Sequence, residues 1–286
     1  MTKILNGIND ILQKYDLAII DQWGVLHNGM KPFQGAVEAI SALYSSGTKI
    51  IILSNSGKLA KHSEKLIAHM GFDMGAIHKV ISSGEAARQW LIDKKDPLSK
   101  KLAEKDDKKL LFWGFDNDHK AIDGLGFTIV DDINMVDVIL AAGTERGNLA
   151  AYKDEMDIGL ARGIPMLCTN PDLVANMPDG SLKICPGTLA EYYENHKGRV
   201  VRFGKPSPKV YDMCKQEFPE AKKIIGIGDS LDHDIMGANC SGMDSLFILG
   251  GIHQAEFYNG SDPKVMKKLF TIHGATPTFA LDSFHL

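Results

Sequence analysis

Eight short runs rich in Ile, Val and Leu recur along the chain, separated by longer segments whose apolar residues fall at helical spacing. The runs are Leu17 to Ile20, Lys49 to Leu53, Leu110 to Gly114, Val136 to Ala141, Ile164 to Cys168, Val200 to Phe203, Ile224 to Ile227 and Ser245 to Leu249. A strand with aliphatic residues on both faces suits a parallel sheet covered by helices on each side, so the expected fold class is α/β with parallel strands. Between the first two runs, Val37, Ile40, Ala42 and Leu43 predict a helix over Gly35 to Ser46, and Gly47 supplies the left-handed residue that commonly closes one. Pro206-Ser207-Pro208 opens Lys209 to Phe218, where proline is tolerated because a first-turn N–H has no partner in any case; a second helix is predicted there.

The 286 residues are more than one small domain needs, which suggests two units. Charged residues are 24% of the chain and hydrophobic ones 44%, the usage of an ordinary globular protein. The net charge of -4 arises from mixed signs and gives no footprint for nucleic acid. From Asp93 to Lys109, seven Lys stand against five Asp or Glu, which reads as a solvated face and as a candidate junction between units; a second junction is expected near Gly198. Cys168, Cys185, Cys214 and Cys240 are scattered without a paired spacing and read as reduced core thiols. The chain shows neither a leader pattern nor an apolar run approaching the roughly 18 residues of a bilayer span. A cytoplasmic protein with no membrane or nucleic-acid partner is expected. The sequence does not set oligomeric state, a homodimer being one option.

Ligands of open parallel sheets bind beyond the carboxyl ends of the strands. Four polar clusters lie at such ends: Asp21-Gln22-Trp23-Gly24-Val25, Ser54-Asn55-Ser56, Gly204-Lys205-Pro206, and Gly228-Asp229-Ser230-Leu231-Asp232-His233-Asp234. Together they supply the parts of a phosphoryl-transfer site. Asp21 offers a carboxylate nucleophile, Asp229 and Asp234 hard oxygen ligands for Mg²⁺, Ser54 and Asn55 phosphate donors, and Lys205 positive charge. Taken singly, an Asp after a strand is more often a turn or cap residue, and it is the order of the four clusters that carries weight. Gly226-Ile227-Gly228 is not a dinucleotide fingerprint, since Leu231 occupies the third glycine position, and no P-loop pattern exists.

These motifs resemble the ordered motifs of the haloacid dehalogenase superfamily, and most closely its NagD-like, 4-nitrophenylphosphatase-like branch. Gly24-Val25-Leu26 with Asn28-Gly29, Gly-Lys-Pro-Ser-Pro at 204 to 208, Gly-Asp-x-x-x-x-Asp-Ile from Gly228, Thr169-Asn170-Pro171-Asp172 and Pro186-Gly187 carry the likeness. The resemblance implies a Rossmann-like parallel-sheet core from residues 1–87 and 200–286, with an inserted α/β cap from 88–199. It implies a phosphatase acting on a small phosphorylated metabolite, with Asp21 taking the phosphoryl group, Ser54 holding a phosphate oxygen and Lys205 steadying the charge. Asp21, Asp229, Asp234 and the backbone carbonyl of Trp23 would hold Mg²⁺, while Asn55, Asn170 and Asp172 would face the substrate.

One position departs from that pattern. The superfamily's phosphatases usually carry a second Asp two residues after the nucleophile, to protonate the leaving oxygen and then activate water. Trp23 stands here, and an indole N–H is no usable acid or base. The sequence therefore leaves three readings: a phosphatase with weakened acid–base catalysis, a phosphate-binding sensor without turnover, and a phosphotransferase. His27, titrating ordinarily near 6.5, is the candidate replacement.

Overall fold

The computed structural model describes residues 2–286 apart from 178, 259 and 261. The chain begins with β1 (Lys3–Ile4), β2 (Leu17–Ile20), α1 (Ala36–Ser45), β3 (Lys49–Ser54), α2 (Ala60–His69), β4 (Lys79–Ser82) and α3 (Ser83–Asp93). There follow α4 (Pro97–Ala103), β5 (Lys108–Trp113), β6 (Phe127–Ile129), β7 (Val138–Ala141), α5 (Lys153–Ala161), β8 (Met166–Cys168), β9 (Val174–Asn176), β10 (Leu182–Ile184), α6 (Pro186–Asn195) and β11 (Val200–Arg202). The last part holds α7 (Pro208–Glu217), β12 (Ile224–Gly228), a wide π turn at Leu231–Ile235, α8 (Met236–Cys240), β13 (Asp244–Ile248), α9 (Pro263–His273) and β14 (Phe279–Leu281).

Among the described residues the strands form three sheets. A seven-stranded parallel sheet runs in the order β1-β14-β13-β12-β2-β3-β4. A five-stranded parallel sheet runs β11-β8-β7-β5-β6, and β9 and β10 form an antiparallel hairpin. The α/β class and the parallel sheets agree with the expectation from the aliphatic runs. All four residues of β2 and of β7 are buried, as strands covered on both faces must be. Helix α1 ends before Gly47, which takes φ +90°, and α7 starts at Pro208, both where the sequence placed them.

Two elements sit differently from the sequence reading. Strand β11, assigned to the core side of the boundary at 199 and 200, is hydrogen-bonded to β8 with Val200 opposite Met166, so it belongs to the five-stranded sheet. A run of aliphatic residues looks the same whichever sheet accepts it. The charged stretch after Trp90 is not merely a solvated junction, because α4 buries Leu98, Ser99 and Leu102 while its lysines face outward. Asp96 accepts the Leu98 N–H and Pro97 fills the first turn, an N-terminus spelled in the sequence. Leu98 and Leu102 join an apolar cluster that also contains Leu53 from β3, Leu140 from β7 and Phe203, so one core runs from sheet to sheet. Of the four thiols, Cys168, Cys185 and Cys214 are buried as expected, whereas Cys240 is exposed. No helix among the described residues is long and apolar enough to cross a membrane.

The order of the large sheet places the site. From β2 the chain moves to β3 and β4 on one side, while from β12 it moves to β13 and β14 on the other. The loops leaving β2 and β12 therefore diverge and open a crevice at the carboxyl ends of these two adjacent strands.

Candidate active site

Asp21 is the first residue after β2, and its N–H donates to the Ile227 carbonyl on β12 at 2.8 Å, which anchors it at the switch point. Asp229 follows β12 and Ser54 ends β3, so three hydrogen-bonded neighbours deliver their polar ends to one crevice. Asp234 lies in the π turn, where its Oδ2 accepts the Ser230 N–H at 3.1 Å. Lys205 arrives on the chain that returns from β11. Its ammonium donates to Asp21 Oδ1 at 2.5 Å and to Asp234 Oδ1 at 2.7 Å. Asp21, Ser54, Lys205, Asp229 and Asp234 are all buried.

The carboxylates of Asp21, Asp229 and Asp234 each offer an oxygen, and those oxygens lie within 4.8 Å of one another. Burial pushes the Asp21 carboxyl up to about 7, against the pull of Lys205. Burial, reinforced by the charges of Asp21 and Asp234, holds Asp229 well above the carboxylate range. Burial disfavours the Lys205 ammonium too, but the carboxylates of Asp21 and Asp234 outweigh it and raise its pKa well above the ordinary value. Three acids against one base leave an excess of negative charge in a low-dielectric crevice, and an all-carboxylate donor set suits a hard divalent cation. The surrounding backbone approaches closely. A Cβ on Gly24 or on Gly251 would stand 2.0 Å from Asp229 Oδ2, and the Ile252 N–H donates to that oxygen at 2.7 Å.

Comparison with known proteins decides the family. Residues 18–128 match the haloacid dehalogenase-like hydrolases, and residues 202–269 match a HAD-hydrolase-like family. The chain belongs to the haloacid dehalogenase-like hydrolases. Human chronophin is 25% identical over 264 residues, spanning 87% of this chain and 86% of its own. A haloacid dehalogenase-like hydrolase from Brucella suis 1330 superposes with a TM-score of 0.80 at 26% identity, over 98% of this chain and 100% of its own. Glycerol phosphate phosphatase from Mycobacterium tuberculosis, solved in complex with magnesium, superposes with a TM-score of 0.63 at 21% identity, over 85% of this chain and 70% of its own, a likeness of fold. Within its family this haloacid dehalogenase-like hydrolase stands among the phosphatases, and it is an enzyme of that class.

The remaining residues singled out from sequence are placed less uniformly. Asn55, expected to face substrate, uses both ends of its amide within the protein. Its Oδ1 accepts the Lys205 N–H at 2.8 Å and the Ser83 hydroxyl at 3.4 Å, while its Nδ2 donates to Asp172 Oδ1 at 2.7 Å. Asp172 thus reaches from the inserted segment to the mouth of the site, with His233 Nδ1 at 3.5 Å. Asn170 closes its own turn by accepting the Asp172 N–H. The Ser54 hydroxyl accepts the Ser56 N–H at 3.3 Å, which leaves its proton unassigned.

The Trp23 indole turns toward the hairpin, its Nε1 donating to the Asn176 carbonyl at 3.2 Å. His27 is fully buried and receives the Gly29 N–H on Nδ1 at 2.9 Å. Its Nε2 lies 2.9 Å from the Gln22 amide nitrogen, while Gln22 Oε1 is buried without a partner. Turning that amide by half a rotation puts Oε1 on the His27 Nε2–H and gives the oxygen a donor. Burial pushes His27 down to about 4. With both ring nitrogens engaged, His27 does not replace the missing acid; it braces the loop. Gly251, Ile252, Asn176 and His233 were not foreseen as site residues. The pair Gly250-Gly251, directly after an aliphatic run, and the place of His233 within the fourth polar cluster were the signals the sequence offered for them.

Proposed function

We propose that the chain is a Mg²⁺-dependent phosphatase of a small phosphorylated metabolite that works through an aspartyl-phosphate at Asp21. The observation that carries this reading is the buried constellation of Asp21, Asp229 and Asp234 around Lys205 at the switch point of the large sheet. Asp21, Asp229, Asp234 and the main-chain carbonyl of Trp23 would hold the cation. Bound there, Mg²⁺ would offset charge on the phosphoryl oxygens. Lys205 favours the ionised form of Asp21 against the burial that opposes it, and orients the carboxylate so that its other oxygen can attack phosphorus, while the Ser54 hydroxyl donates to a phosphoryl oxygen. Asn55 orders Lys205 through its N–H and receives Asp172 from the cap. The cap itself is best drawn from about residue 88 to Arg202, because β11 completes its sheet.

With Trp23 tied to Asn176 and His27 sealed in its loop, no acid stands beside the nucleophile in the place where the superfamily usually carries one. A positioned acid contributes about 10² to 10⁴ in rate, roughly 3 to 5 kcal/mol of barrier. Aryl and acyl phosphates, whose leaving groups depart unprotonated, should therefore turn over far faster than alkyl phosphates. A series of monoesters assayed with Mg²⁺ is expected to give kcat/KM falling steeply with leaving-group pKa. A flat series would show that a proton donor is in place. Tight fluoroberyllate binding without turnover of any ester would favour the sensor reading, which Trp23 alone motivates.

A further inference from the structure

A cavity of about 660 Å³ lies between the loop that follows Asp21 and the β9–β10 hairpin, a volume typical of a small-molecule site. Its walls include Trp23, Met30, Met177, Leu182 and Lys183, together with Asp179, whose carboxylate accepts the Ser181 N–H and hydroxyl. Trp23 follows Asp21 by two residues, so its Cα lies at most about 7 Å from that of the nucleophile. The indole is a fixed wall. Its Nε1 is bound to the Asn176 carbonyl, and the Asn176 side chain donates in turn to the Gly251 carbonyl at 3.3 Å. On its other side the ring meets Gly29, where a Cβ would lie 2.3 Å from the indole, and it meets His27 edge to face at 5.8 Å.

Met30 and Leu182 are 76% and 64% exposed, two large apolar side chains at the cavity rim whose surface a bound molecule would cover. At the same rim the Lys183 ammonium rests 4.4 Å from the centre of the Phe115 ring, so among the described residues it is stationed by an aromatic face and not by a carboxylate. A cation held this way attracts an anion entering beside it.

We propose that this cavity is the leaving-group compartment, shaped for a flat, mostly apolar group bearing an anionic substituent that meets Lys183. The inference rests on the phosphatase reading above and names the substrate class for that site. Two independent features agree on it. Leaving groups that depart without a proton donor are oxyanions stabilised by conjugation, which are flat, and the surface waiting beside the nucleophile is a flat indole. Met30 and Met177, unbranched and polarisable, can conform to such a ring.

The test uses the full-length Mg²⁺-loaded enzyme with three substrates: acetyl phosphate, phenyl phosphate and 4-carboxyphenyl phosphate. Lys183→Met is expected to lower kcat/KM for the carboxylated ester about 10-fold, through KM, and to leave the other two substrates unchanged, as removal of one partly solvated charge pair implies. Leu182→Ala is expected to lower both aryl esters several-fold and to leave acetyl phosphate, which has no ring, untouched. Both residues lie at the surface, and unchanged thermal melting of the variants would show that the fold is intact. If acetyl phosphate turns over while neither variant distinguishes the three substrates, the compartment is overturned and the phosphatase reading stands. If wild-type enzyme hydrolyses none of the three substrates, both are overturned; if it hydrolyses the aryl esters and both variants act on them alike, the compartment alone is overturned.

Discussion

His27 shows how burial can decide a residue's role that its type leaves open. A histidine on the loop after Asp21 is a candidate proton carrier by sequence, yet its ring is sealed between Gln22 and the Gly29 N–H. Its pKa is depressed from 6.5 to about 4, so folding favours the neutral ring. The stability this contributes is complete above pH 6.5 and is lost as the pH falls toward 4, because the unfolded chain takes up the proton first. Between pH 7 and pH 4.5 the wild type is therefore expected to lose about 2 to 3 kcal/mol more than His27→Gln, read from urea unfolding at each pH. Equal losses in the two proteins would show that the ring is not held neutral. At the same scale, the gathering of Asp21, Ser54, Lys205, Asp229 and Asp234 at one crevice was legible because each directly follows or closes an aliphatic run, or sits in an ordered motif. The partners of the Asn55 amide were not legible, since Lys205 and Asp172 lie 150 and 117 residues away.

The elements were legible where the pattern is local. Helices α1 and α7 carry their own stop and start signals, and the aliphatic runs of β2, β3 and β12 declare buried parallel strands. Two kinds of information were absent. A strand does not announce which sheet it joins, which is why β11 was drawn on the wrong side of the junction. A charged stretch hides a short amphipathic helix, because two leucines four residues apart look slight beside so many lysines. Leu98 nonetheless lies 5% exposed in the cluster that bridges the two large sheets. Leu98→Ala is expected to cost about 2 to 5 kcal/mol, while Lys100→Ala, on the exposed face of the same helix, should stay within about 0.5 kcal/mol. Denaturant melts of the two variants measure the difference, and a Leu98→Ala protein as stable as wild type would mean that α4 is not part of the core.

Across the whole molecule, the inserted segment meets the large sheet through the shared apolar cluster and through a set of polar contacts at the crevice. Asp172 reaches Asn55 and His233, Asn176 takes the Trp23 indole and holds Gly251, and Lys58 lies within ion-pair distance of Asp116 and Asp118. The backbone of Lys205 is tied to Asn55, which is tied to Asp172, so Lys205 and the inserted segment share one hydrogen-bonded chain. This arrangement gathers Asp21, Lys205, Asp229 and Asp234 into one assembly, on which the proposed phosphoryl transfer depends. The proposed intermediate is covalent and can be read directly. Enzyme mixed with an aryl phosphate and Mg²⁺ is quenched in denaturant and treated with borohydride, which reduces an acyl phosphate to the alcohol, and its peptides are then weighed. Homoserine is expected at position 21 only when both substrate and Mg²⁺ are present, and none after chelation or in Asp21→Asn. Turnover that leaves Asp21 unmodified, or modification of another carboxylate, would contradict it.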